Sequence, residues 1–141
     1  HLVLHGDLAY VACELSATLA VCDPATGRVL HSQPCVPNGA PGTAAAIRLT
    51  PEGHLMVSHR GADCISVFSL ANPERPHRLG TWACGGAGPR DVWPLEGGAL
   101  CACQGGNCVT LLRGDAVHGY TQVAVAAVAA PVCILAETLL P

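Results

Sequence analysis

Along the chain, short apolar runs alternate with turns rich in Gly, Pro, Asn and Asp. Three segments superimpose on one another: LAYVACELSATLAV (8–21), HLMVSHRGADCISV (54–67) and GALCACQGGNCVTL (98–111). Aligning Glu14 with Arg60 and Gln104 gives spacings of 46 and 44 residues. Each copy reads as an apolar strand, a polar pair, a tight small-residue turn and a second apolar strand. Thus Val57-Ser58-His59-Arg60 leads through Gly61-Ala62-Asp63 into Ile65-Ser66-Val67. Period-two alternation in the second strands, with β-branched residues and polar turns between, predicts antiparallel hairpins.

One more strand precedes each hairpin. AAAIRLTPEG (44–53) and GPRDVWPLEGG (88–98) each give an apolar strand and a Pro/Glu/Gly turn, and HLVLHGD (1–7) is the same element with a shorter turn. Another strand follows the first two hairpins, after DPATG (23–27) or NPERP (72–76). Four short strands per roughly 45 residues is the period of a β-propeller blade. The prediction is therefore all-β: three four-stranded antiparallel blades near 1–43, 44–87 and 88–141, with innermost strands near 1–5, 45–49 and 90–94. No second domain and no linker interrupt them. The Ala-rich stretch 123–130 has helix-friendly residues, but its Val alternation fits a strand. A propeller typically closes with four to eight blades, and three alone would leave exposed sheet edges. The remaining blades are expected upstream of His1.

Composition narrows the function. Half of the 141 residues are hydrophobic, and 12% are charged against ~25% in ordinary soluble domains. Seven basic residues, all Arg, against ten acidic ones leave no basic footprint, so nucleic-acid binding is not expected. The longest apolar run, Val123 to Ala130, falls short of the ~18 residues of a membrane span, so no membrane contact is expected. Nine cysteines (13, 22, 35, 64, 84, 101, 103, 108 and 133) are odd in number and sit mostly in apolar strand-like runs. They read as reduced core thiols of a cytoplasmic protein. There is no C-x-x-C and no His pair on a helical face, so neither a metal nor another cofactor is expected.

The residues resemble a known family. YVACEL (10–15) resembles the Tyr-Val-x-Asn-Glu-Leu motif of the seven-bladed lactonase propellers, which include the bacterial 6-phosphogluconolactonases and the fungal carboxymuconate-lactonizing enzymes. AAAIRLTPEGHLMVSHRGADCISVF (44–68) and GAGPRDVWPLEGGALCACQGGNCVTLL (86–112) resemble the family's next two stretches in order, and Pro131-Val132-Cys133 resembles its Pro-x-Cys close. The resemblance covers essentially the whole chain and corresponds to the C-terminal three-sevenths of the family's length. Cys13, His59 and Cys103 stand where the family usually has Asn, while Glu14, Arg60 and Arg90 keep the family's residues.

The resemblance implies a hydrolase that opens a small anionic sugar lactone without a metal. It places Glu14, Arg60 and Gln104 at equivalent positions on three neighbouring blades, at the end of a channel-proximal strand. Glu14 is the candidate base and Arg60 the group that binds an oxyanion or the substrate's own phosphate or carboxylate. His1, His59, Arg90 and Gln104 are candidate substrate-binding residues. The alternative is a non-catalytic propeller that binds a small ligand or a protein partner. Trp82 and Trp93 are expected to fill gaps between blades, and the other histidines to be scattered turn and edge residues.

Overall fold

The computed structural model describes residues 1–37, 40 and 42–136. Twelve strands run in chain order: β1 Leu2–His5, β2 Leu8–Cys13, β3 Thr18–Asp23, β4 Arg28–Pro34, β5 Ala44–Leu49, β6 Leu55–His59, β7 Cys64–Ser69, β8 His77–Ala83, β9 Pro89–Leu95, β10 Gly98–Cys103, β11 Cys108–Asp115 and β12 Gly119–Ala127. They form three four-stranded sheets in the orders β1-β2-β3-β4, β5-β6-β7-β8 and β9-β10-β11-β12, every pairing antiparallel. These are the three blades the repeat predicts. The Ala-rich stretch continues β12 as far as Ala127. The chain between the first two blades and the end of the third lie partly outside the described residues.

The repeat extends to irregularities that no hydropathy pattern shows. The pairing of third with fourth strand slips by one residue after Val21, Val67 and Leu111, which occupy the same position in each copy. A bulge there increases strand twist, so each outermost strand coils away from its neighbour in the same manner.

The blades pack face to face through their inner strands. Tyr10, Leu19 and Val21 of the first sheet meet Ile47, Leu55, Val57 and Phe68 of the second. Met56, Ile65 and Val67 of the second meet Val92, Cys101, Cys103 and Leu112 of the third. Successive side chains of a strand point to opposite faces, so Leu55 and Val57 serve one seam and Met56 the other. Every residue of β6 is buried as a result. β1 and β12 are each covered on fewer sides, which leaves Leu2, Leu4, Val123 and Val125 exposed. Both tryptophans sit at the seam between the second and third blades. Trp82 meets Tyr120 of β12 edge-on at 5.3 Å and 68°, and Trp93 lies under the Arg48 guanidinium at 4.8 Å. Such contacts add about 0.5–1.5 kcal/mol each to the burial itself.

Candidate functional site

The β2–β3, β6–β7 and β10–β11 connections are the same turn used three times. Glu14, Arg60 and Gln104 each stand first after the second strand. The residues three positions on, Ala17, Asp63 and Asn107, all have φ of 50°. In two of the turns the amide of that fourth residue donates back to the first carbonyl, Ala17 to Glu14 at 3.3 Å and Asn107 to Gln104 at 3.4 Å. Three short turns of one geometry set the three side chains at one register.

Backbone bonds fix these turns against the starts of the inner strands. The Arg60 amide donates to Thr43 O at 2.9 Å and the Gln104 amide to Gly88 O at 3.0 Å. The Ala44 amide crosses from the second blade to Glu14 O at 3.2 Å. The Gly88 amide crosses from the third blade to Asp63 Oδ1 at 2.6 Å. All of this lies at the end of the sheets where β5 and β9 begin.

At that end Arg60 Nη2 donates to Glu14 Oε1, an ion pair that spans the first and second blades. The Glu14 side chain is 53% exposed and that of Arg60 25%, so the carboxylate stands in solvent while the guanidinium is largely covered. Arg60 Nε is buried without a hydrogen-bond partner among the described residues, so the guanidinium holds donors that the pair does not use. Gln104 occupies the equivalent position on the third blade, half-buried, with no side-chain hydrogen bond among the described residues.

The other candidates distribute differently. His1 lies over the next blade, its Nδ1 accepting the Ile47 amide at 3.3 Å, which assigns the ring proton of the neutral form to Nε2. Arg90 is exposed on β9 and forms no ion pair among the described residues. His59 is not at the surface. It closes β6 with its ring wholly enclosed, and neither ring nitrogen has a hydrogen-bond partner among the described residues. Burial, with the positive charge of Arg78 as a second cause, pushes its pKa down to about 4. Cys103 is likewise fully buried, in contact with another thiol. Two of the three positions where the family usually carries Asn are therefore fully buried in this chain.

Sequence reasoning missed one polar group on the inner strands. Arg48 of β5 reaches across to Asp91 of β9, with Nη2 at 3.0 and 3.2 Å from the two carboxylate oxygens. Asp91 is 4% exposed and also accepts the Ile134 amide at 2.8 Å. Arg48, Thr50, Pro51 and Trp93 line a cleft of about 290 Å³ near the far ends of these strands. A larger cleft of about 510 Å³, lined by His5, Asp7, Asn72 and Glu74, opens at the β1–β2 and β7–β8 turns, the opposite end of the sheets from Glu14. The available signal was charge inside two inner strands, Arg48 alone in β5 and Asp91 beside Arg90 in β9. Among the described residues no group of three or more His, Cys, Asp and Glu side chains could hold a metal ion, and no helix is long and apolar enough to cross a membrane.

Comparison with known proteins places this geometry. The chain superimposes on a protein from Lactobacillus plantarum with a TM-score of 0.81 at 29% identity, over 94% of this chain and 43% of that one. The periplasmic gluconolactonase PpgL of Pseudomonas aeruginosa gives 0.79 at 24% identity, over 93% of this chain and 40% of its own. A putative 6-phosphogluconolactonase of Bacteroides fragilis gives 0.79 at 24% identity, over 94% and 40%. The chain thus spans about two-fifths of the length of these structures. No curated protein sequence matches it significantly. The family described as "Lactonase, 7-bladed beta-propeller" matches residues 1–136, all three blades and both partners of the ion pair included, and the chain belongs to that family.

Proposed function

We propose that this chain contributes the Glu14–Arg60 edge of the active site of a cytoplasmic lactonase that opens a small anionic sugar lactone without a metal ion. The observation that carries the reading is the ion pair itself, a solvent-facing carboxylate and a guanidinium with unused donors on adjacent blades. Family membership and the gluconolactonase and putative 6-phosphogluconolactonase neighbours support the reaction class. The cytoplasmic assignment rests on nine cysteines in mostly apolar strands.

The chemistry runs in two steps. The Glu14 carboxylate takes a proton from water as the oxygen attacks the lactone carbonyl, and Arg60 donates hydrogen bonds to the oxyanion that forms. When the tetrahedral intermediate collapses, the ring C–O bond breaks and the leaving oxygen recovers the proton from Glu14, giving the open hydroxy acid. The pairing with Arg60 holds the Glu14 carboxylate in place. The arginine fork also suits a phosphate or carboxylate on the substrate, which a lysine would meet only as a point charge. His1 Nε2 and Gln104 are further donors available to an oxygen-rich ligand.

The test is lactone disappearance catalysed by the full-length protein, corrected for spontaneous hydrolysis. Glu14→Gln is expected to keep the fold and lower the rate on the order of 10²–10⁴-fold. Arg60→Lys keeps a cation for the oxyanion but loses the fork that meets a phosphate or carboxylate, so it is expected to raise KM for anionic lactones more than it lowers kcat. Full activity in Glu14→Gln overturns the assignment of the base. A second reading, a propeller that binds a ligand without turning it over, draws on the enclosed His59 and Cys103, which stand where the family usually carries amide side chains. Tight binding of a sugar acid with no hydrolysis of any anionic lactone by the wild type would favour it.

A further inference from the structure

The seam between the second and third blades holds an arrangement of thiols that packing alone does not require. Cys84 follows β8, and its amide is tied back to Asp63 O at 3.0 Å. Cys103 ends β10, directly before Gln104. Their sulfurs are 4.0 Å apart, and both residues are fully buried. Cys84 Sγ donates to Gly86 O at 2.9 Å, while Cys103 Sγ lies 3.8 Å from Cys101 O and 3.9 Å from Thr110 Oγ1. The same Thr110 hydroxyl donates to Cys84 O at 2.6 Å, so one side chain holds both cysteines in place.

A third thiol adjoins them. Cys108 is the cross-strand partner of Cys103 at the end of the β10–β11 hairpin and is half-buried. A methyl group built on Gly86 would stand 2.8 Å from Cys103 Sγ and 3.0 Å from Cys108 Sγ, so both sulfurs crowd one glycine. The preceding seam lacks this arrangement. Cys35 occupies the place of Cys84 there, its amide bonded to Ala17 O at 2.8 Å, but the place of Cys103 is taken by His59. Among the described residues these thiols do not form a metal-holding group of three.

We propose that Cys84 and Cys103 form a reversible disulfide that staples the second blade to the third, with Cys108 as the thiol that first meets the oxidant. The oxidant is a low-molecular-weight disulfide, RSSR. The Cys108 thiolate attacks one of its sulfurs, forming a mixed disulfide and expelling RS⁻. The Cys103 thiolate then attacks the Cys108 sulfur and expels the second RS⁻. Finally the Cys84 thiolate attacks the Cys103 sulfur and releases the Cys108 thiolate. Two protein thiols and RSSR become one protein disulfide and two RSH, the protons passing from cysteine to the released thiolates.

Cys108 comes first because it alone of the three is not fully enclosed. Cys84 and Cys103 are the end state because their sulfurs already touch. Closing 4.0 Å to the ~2.05 Å of a bond asks each side chain for a displacement of about 1 Å. Contact with Cys84 and burial both push the Cys103 thiol up, and burial pushes Cys108 up, so exchange runs slowly at neutral pH and faster in alkali. Because Cys103 precedes Gln104, whose amide bonds Gly88 O, the staple fixes the Gln104 turn against the second blade.

The experiment exposes the reduced full-length protein to a graded series of oxidised and reduced glutathione, then traps free thiols with N-ethylmaleimide. Trypsin separates Cys84 in peptide 79–90 from Cys101, Cys103 and Cys108 in peptide 91–113. The expected result is two fewer maleimide adducts, the two peptides joined, and fragment ions placing the link at Cys103. Cys103→Ala should leave the peptides unjoined. Cys108→Ala should reach the same linked product on the order of tenfold more slowly. Cys133→Ser, a change at an exposed thiol outside this cluster, should leave the link between the two peptides unchanged. Wild-type peptides that stay unjoined, or a stable link through Cys101 or Cys108, overturn the staple. An unchanged rate in Cys108→Ala overturns the role of Cys108.

Discussion

Arg48 and Asp91, 43 residues apart in the chain, meet across the seam between two blades, and the carboxylate takes both of its oxygens to one guanidinium nitrogen. Asp91 is buried while the Arg48 side chain is 27% exposed and stacked on Trp93. The ion pair thus lies at the edge of the seam, covered on the Asp91 side and open to solvent on the Arg48 side. Asp91 gains further bonds from the amides of Val92, at 2.9 Å, and Ile134, at 2.8 Å. The carboxylate therefore joins the second blade, the third blade and the chain beyond β12.

Removing it should cost more than removing an exposed pair, because a partly covered guanidinium is left without its counter-charge and two amides lose their acceptor. Asp91→Ala is expected to destabilise the full-length protein by roughly 2–4 kcal/mol. Arg48→Met, which keeps the stacking volume over Trp93, should cost less, and the double variant less than the sum of the two. Urea denaturation of the four proteins in a double-mutant cycle checks this. Strict additivity would show that the two side chains do not stabilise one another.

His59 makes stability depend on pH. Its folded pKa of about 4 lies below the ordinary histidine value of 6.5, so as pH falls the unfolded chain takes up the proton first. The contribution is intact above pH 6.5 and is lost as pH drops toward 4. The slope reaches at most one proton, about 1.4 kcal/mol per pH unit, and the total is roughly 3 kcal/mol. His59→Met, of similar volume and with no ring nitrogens to leave unpaired, should flatten the profile between pH 4 and 6.5. Denaturation midpoints measured at half-unit pH steps on both proteins decide it. Parallel profiles would assign the acid sensitivity to another group.

The blade pattern was legible because it is local: alternating apolar strands and tight turns repeat at a fixed period, and each blade is a meander of neighbouring strands. The equivalence of Glu14, Arg60 and Gln104 was legible for the same reason, since spacing along the chain sets position within the blade. Contacts between blades were not legible in this way. Arg48 with Asp91, and Cys84 with Cys103, join positions whose meeting depends on how one sheet twists over the next. Nothing in the residue types says which of nine cysteines will touch. His59 misled for a related reason. Its place beside Arg60 in the sequence suggests an open position, but His59 is the last residue of β6, on the same face as Leu55 and Val57, and is fully buried.

The repeated turn allows a prediction in which one substitution has opposite effects in different copies. Ala17, Asp63 and Asn107 share the left-handed φ of 50°, which costs a non-glycine residue about 1 kcal/mol. Replacing Ala17 by Gly removes that cost. The methyl group lost is small, and the greater freedom of glycine in the unfolded chain takes back part of the gain, so a net stabilisation of ~0.5 kcal/mol is expected. Asp63→Gly relieves the same strain but deletes the carboxylate that holds the Gly88 amide of the next blade at 2.6 Å. Asn107→Gly likewise deletes the side-chain oxygen that accepts the Ala130 amide at 3.0 Å. Losing a bond to a charged acceptor costs about 1.5–3 kcal/mol and a neutral one about 0.5–1.5 kcal/mol. Asp63→Gly should therefore destabilise clearly, and Asn107→Gly should fall between that and a neutral result. Urea midpoints of the three variants in the full-length protein give the order Ala17→Gly, then Asn107→Gly, then Asp63→Gly. If all three shift the midpoint equally, the turn geometry alone governs stability and the bonds to Gly88 and Ala130 contribute nothing. A midpoint lowered by Ala17→Gly would mean that the left-handed residue is unstrained in this turn.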